Sequence, residues 1–196
     1  MTRLAPFLLL ALAGCAALKG GDASVTMRLS PRFTAAAPAA TPSFAVAPVQ
    51  AHGLIAGQRY AYVDAAAPGE IRQAATYFWE DAPADSLTRA LVAGLRSRFA
   101  SVTGPGLPLA ADRRVVAALD RFEEVSDAGA ARAVVAFDVT QVTQGSAIGA
   151  GRYCASAPIA AAAGTVRAAA FQQAIEQAVA AFVQDVAAGT VSAAAC

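Results

Sequence analysis

The apolar positions of this chain change their period along its length, and each change marks an element. Residues 25–33 ("VTMRLSPRF") read as a first strand, followed by a Pro/Ala loop at 34–42. Phe44, Val46 and Pro48 then alternate with Ala45, Ala47 and Val49. That is a short strand whose proline predicts a place at a sheet edge. In the next strand Tyr60 and Tyr62 share one face, Ala61 and Val63 the other. After a turn at 67–70, residues 71–79 continue as strand, with Tyr77 and Trp79 to one side and Thr76 and Phe78 to the other.

The period then lengthens to four. Leu87, Leu91, Leu95 and Phe99, with Val92 beside them, line one helical face. Pro83 suits a first helical turn and Asp85 the positive end of the helix dipole, while Arg96 and Arg98 suit the negative end. The stretch 103–112 ("TGPGLPLAAD") stops the helix. Alternation returns at 113–125 and 133–142, where Val135, Phe137 and Val139 oppose Asp138 and Thr140, and Ser126–Gly129 supplies turn chemistry between them. One more strand is expected at 146–160, weakened by Gly149 and Gly151. Thr165 is expected to cap a long helix with Phe171, Ile175, Ala178, Phe182 and Val186 on one stripe. Each helix has a single apolar face. The pattern therefore predicts an α+β fold, a two-layer sandwich in which a mostly antiparallel sheet of about five to seven strands carries both helices on one face.

Composition adds limits. A length of 196 residues suits one domain with a core of its own. The hydrophobic fraction of 57% is largely alanine, and no apolar run after residue 20 approaches the ~18 residues of a spanning helix. A net charge of +1 with scattered arginines gives no electrostatic case for nucleic acid.

The first residues change the picture more. "MTRLAPFLLLALAGC" has a basic start at Arg3, an apolar core from Leu8 to Leu12, and small residues before a cysteine, the layout of a secretory signal peptide. Leu12-Ala13-Gly14-Cys15 resembles the bacterial lipobox, in which the cysteine thiol is diacylated and the chain is cut just before it. On that reading residues 1–14 are a lipoprotein signal peptide, 15–27 the acylated cysteine and tether, 28–189 the domain and 190–196 a mobile tail. Two or three acyl chains hold a protein to a membrane far better than one. Ala16 in place of aspartate points to the periplasmic side of the outer membrane, with inner-membrane attachment left open. Cys154 and Cys196 are then two thiols in an oxidising compartment, a pair able to form a disulfide.

Little else in the chain suggests chemistry. No CxxC or histidine pair offers a metal site, and no cofactor motif appears: "GSAIG" (145–149) has the wrong spacing for a nucleophile elbow, and there is no Walker A or GxGxxG. His52, the one histidine, reads as a loop residue. Asp120, Glu123 and Glu124 could be paired carboxylates but read better as a solvated strand end, and Asp138 as a water-facing position. No catalytic residue is assigned, and the chain reads as a non-enzyme.

The segment from Gly69 to Val102 resembles the ABC-type transport auxiliary lipoproteins, the PqiC-like partners of MCE-domain lipid transporters. Trp79, Asp81, Pro83, Leu87, Leu91, Leu95, Phe99 and Val102 match its pattern of a tryptophan-bearing strand, an acidic residue and proline, and a leucine-rich helix. Phe122, Glu123, Ala133 and Val134 match its next two strands, and residues 168–187 look like its final helix, with Phe182 where a second tryptophan is expected. The resemblance covers residues 25–188 or so. It implies a non-catalytic periplasmic component that works with an MCE-domain protein and an ABC permease and ATPase, with acyl chains as its membrane contact and room for a homo-oligomer. Trp79 is first an anchor packing sheet against helix, with a partner-facing position as the rival. The alternatives are an assembly or structural lipoprotein of another envelope complex, and a lipid-anchored hydrolase, for which the chain shows no nucleophile and base.

Overall fold

In the computed structural model, residues 23–107 and 110–190 are described; the lipobox (Leu12 to Cys15) and Cys196 lie outside them. The chain forms strands β1 (Val25–Met27), β2 (Phe44–Val46), β3 (Gln50–Ala51), β4 (Arg59–Asp64) and β5 (Ile71–Trp79), then helix α1 (Pro83–Arg96). It continues through β6 (Val102–Thr103), β7 (Arg113–Asp127), β8 (Ala130–Thr143) and β9 (Ser146–Ile159) into helix α2 (Gly164–Ala188). The fold is α+β as predicted, with the strands in one mixed sheet.

β7 is the spine of that sheet. One of its edges pairs antiparallel with β8 over nearly its whole length, and β8 pairs antiparallel with β9. Its other edge takes β2, β3 and β4 in turn, all parallel: Phe44 opposite Arg113, Gln50 opposite Ala118, Tyr62 opposite Glu124. β5 joins β4 antiparallel, and β1 joins β5 parallel. The two long hairpins close through two-residue turns. In the first, Ala128 and Gly129 have φ values of 44° and 89°. Two successive left-handed residues match the twist of the flanking strands, and the glycine adopts that conformation without steric cost.

The structure corrects several expectations. The first strand ends at Met27, so β1 falls in the stretch assigned to the tether, and the chain from Leu29 to Pro42 is an irregular strap. Its amides Ser30 and Arg32 donate to the side chains of Gln172 and Glu176 on α2 instead of to a neighbouring strand. β2 is no edge: it lies between β6 and β7, and Pro48 falls past its end, where no ladder bond is required of it. Thr165 is not the cap of α2. The N-cap is Ala163 and makes no side-chain cap bond. The other end of α2 closes on Gly189, with φ 72°, whose N–H bonds Val186 O while Thr190 N–H bonds Asp185 O.

Both helices pack on the sheet and on each other within one hydrophobic cluster. Leu87, Leu91 and Leu95 of α1 and Phe171, Ile175, Ala178, Phe182 and Val186 of α2 are buried, which is the face each period marked. The helices meet at Gly94, where an added Cβ would stand 2.6 Å from Val179 Cγ1. Only a residue without a side chain permits that approach.

Candidate functional site

Trp79 is the last residue of β5 and is 2% exposed. Its ring centroid lies 5.0 Å from that of Phe171, 5.4 Å from Phe122 and 5.5 Å from Tyr60. The tilted and edge-on arrangements are those that aromatic quadrupoles favour. The side chain thus joins three strands to α2. The residues behind it turn outward. Glu80 accepts two hydrogen bonds from Arg28, one of them 2.6 Å, and Asp81 accepts one of 2.7 Å from Arg89 on α1. The Arg28 guanidinium holds the Glu80 carboxyl below its usual range. Pro83 occupies the first turn of α1, and Phe99, just beyond that helix, packs 4.7 Å from Phe44.

A second set of residues sits against this aromatic group. The Tyr60 hydroxyl donates to Glu124 Oε2, and Arg167 Nε donates to the same oxygen at 3.0 Å. Arg167 also donates to Ala162 O at 2.8 Å, and its guanidinium lies over the rings of Tyr77 at 4.7 Å and Tyr60 at 5.3 Å. Burial, reinforced by the Glu124 carboxylate, pushes the Tyr60 phenol far up. Burial works against the charge of Arg167, and Glu124 more than offsets it, so its pKa is raised. An acid, a phenol and a cation therefore hold the start of α2 to β4 and β7, with both charges satisfied.

This set corrects the expectation of a solvated strand end. Glu123 and Glu124 are both buried, and only Asp120 is exposed, paired with Arg152. The cause is a bulge in β7 between Leu119 and Arg121. Before it Val115, Ala117 and Leu119 face the core; after it Phe122 and Glu124 do. One extra residue reverses the parity of a strand. The signal was present in sequence as a gap of three between Leu119 and Phe122. Nothing in the sequence pointed to Arg167, because its partners come from β4, β5 and β7.

His52 is exposed beside a 3-10 turn, and Asp138 is exposed, facing Arg152. Cys154 lies half-buried on β9 and is disulfide-bonded; the expected pairing with Cys196 falls outside the described residues. Among the described residues no group of three or more His, Cys, Asp or Glu could hold a metal, and no helix is long and apolar enough to cross a membrane.

Open grooves gather elsewhere, where the strap crosses the helices. One of about 680 Å³ runs between the strap and α2, lined by Arg32, Phe33, Arg98, Glu176 and Val183 among others. Another of about 670 Å³ runs between the strap and α1, lined by Phe33, Val92, Ala93, Arg96 and Leu107.

A mixed sheet with two helices packed on it, closed at its aromatic centre and grooved at the strap, defines an α+β domain. The chain belongs to the ABC-type transport auxiliary lipoprotein component family, whose model matches residues 28–187. That family is a transport component and not an enzyme class. Among solved structures, protein XCC0632 from Xanthomonas campestris superposes with a TM-score of 0.72 at 20% identity, over 82% of this chain and 93% of that one. An uncharacterized protein superposes at 0.64 with 15% identity, over 83% and 99%. At these identities the likeness is one of fold. No curated protein resembles the chain in sequence.

Proposed function

We propose that this chain is a non-catalytic lipoprotein of the bacterial periplasm, anchored by acyl chains on Cys15. In this reading it serves as the auxiliary component of an MCE/ABC-type system that moves lipids across the envelope. The observation that carries the reading is the family match across residues 28–187, which spans all but four residues of the sheet-and-helix body. The lipobox resemblance at Leu12, Ala13, Gly14 and Cys15 supports the anchor, and Ala16 the outer membrane. Cys196 is the proposed partner of Cys154. Its bridge would tie the end of the chain to β9 and reduce the freedom of the unfolded chain.

The partner is tested by crosslinking cells that express the full chain. Co-purification of an MCE-domain protein with its ABC permease and ATPase is expected; repeated recovery of another envelope complex in their place would overturn the reading. The anchor is tested by Cys15→Ser, which should leave an unprocessed or soluble protein. Membrane attachment unchanged by that substitution would remove the lipid anchor.

A further inference from the structure

The charge of this chain is balanced overall and unbalanced at the end of α1. Among the described residues Arg32, Arg96, Arg98, Arg113 and Arg114 find no ion-pair partner. Among the described residues only Arg59 and Arg132 elsewhere share that state; every other arginine lies within 4 Å of a carboxylate. The negative end of the α1 dipole accounts for Arg96 and Arg98. It does not account for Arg32 on the strap or for Arg113 and Arg114 on β7.

Four of these arginines border connected grooves, and Arg114 lines a further one that adjoins them at Gly104 and Leu107. The groove between strap and α1 shares Phe33 and Ser97 with the one between strap and α2, where Arg32 and Arg98 stand. A third, of about 460 Å³, continues past Arg98 to Arg113. The only carboxylate lining the first two is Glu176, which already accepts from the Arg32 amide and the Gln172 side chain. The floor beside α1 is apolar: Phe33, Val92, Ala93 and Leu107, the last 59% exposed. Arg89 at its side is tied to Asp81, whereas Arg96 spends two donors on Val102 O and keeps the rest of its fork. An apolar trough with Arg96 on its rim, and with Arg98 and Arg32 in the adjoining groove, complements a molecule with a hydrocarbon tail and an anionic head. The ten residues from Cys15 to Val25 reach at most ~35 Å, which would keep an acylated chain's domain close to a bilayer.

We propose that the groove between the strap and α1 binds an acyl chain of an anionic phospholipid, with Arg96 holding its phosphate and Arg98 and Arg32 drawing the head group in. The choice of a lipid occupant rests on the lipoprotein reading above; the groove and its charge stand independently.

The test uses the full chain reconstituted in vesicles containing phosphatidylglycerol with a photoactivatable acyl chain, or phosphatidylcholine bearing the same chain. Peptides spanning Val92 and Leu107 should carry the adducts, several-fold more with phosphatidylglycerol. Ala93→Trp, at an exposed wall position, should reduce labelling to background, and Ala35→Trp should do the same from the strap side. Arg96→Glu with Arg98→Glu should remove the preference for the anionic lipid. Thermal melting of each variant establishes that it is folded. Equal labelling by both lipids, adducts elsewhere on the fold, labelling that survives both tryptophans, or capture of a photoactivatable fatty acid in place of phospholipid would each overturn the proposal. No transporter subunit is present, so failure here leaves the transport reading intact, and labelling without any co-purified transporter would leave the site standing alone.

Discussion

At the start of α2, Arg167 is enclosed by Glu124, Tyr60 and Tyr77, while at the end of α1, Arg98 stands in solvent between two grooves. The two guanidinium groups are chemically identical and serve opposite ends. The first is half-buried and paired with Glu124, and contributes by fixing a helix to a sheet. The second has no carboxylate partner among the described residues, so its charge is available to something outside them. The first arginine is part of what holds the fold together; the second is left for the proposed ligand.

The comparison can be broken most severely at the centre. Trp79→Ala removes a ring packed against Tyr60, Phe122 and Phe171, and should cost about 4 kcal/mol of stability in denaturant unfolding. A variant that melts normally would show that the aromatic group does not hold the fold.

Glu124→Ala should cost about 2 kcal/mol, because it leaves the half-buried Arg167 without its counter-charge and the buried Tyr60 hydroxyl without its acceptor. Combining it with Arg167→Met should restore part of the loss. If the double variant is no more stable than Glu124→Ala, the stranded cation is not the cause.

A smaller effect concerns acid. Asp112 accepts from the Ser43 amide and hydroxyl, which hold its carboxyl below the usual range, as Arg28 does for Glu80. A depressed carboxylate stabilises the fold above its unfolded pKa of about 4 and loses that contribution as pH falls through the lower folded value. Melting temperature should therefore fall below about pH 4, and Asp112→Asn should make that fall shallower. An unchanged slope would separate Asp112 from the stability of the strap.

The smallest effect is expected at the grooves. Arg98→Gln should change stability by less than ~0.5 kcal/mol, since no ion pair is lost and only a solvated contact with the end of the α1 dipole is removed. A large destabilisation would mean that this arginine belongs to the fold and not to its surroundings.

Periodicity determined much of this protein. The leucines every fourth residue and the stripe from Phe171 to Val186 marked both helices and their buried faces, because one face of a helix is set by local geometry alone. Alternation located β4, β5, β7, β8 and β9, and the spacing around Trp79 carried the family resemblance. What sequence left undecided was non-local. The bulge at Asp120 turned Glu124 inward, and its value as a buried acid depends on Tyr60 and Arg167, 64 and 43 residues away. The parallel seating of β2, β3 and β4 along one edge of β7 follows from long-range pairing that no window of sequence contains. The grooves arise where the strap crosses two helices, and which arginines remain unpaired is known only once every carboxylate has its place. Local pattern fixes which face of an element is apolar; the partner of each charge is settled by packing across the chain.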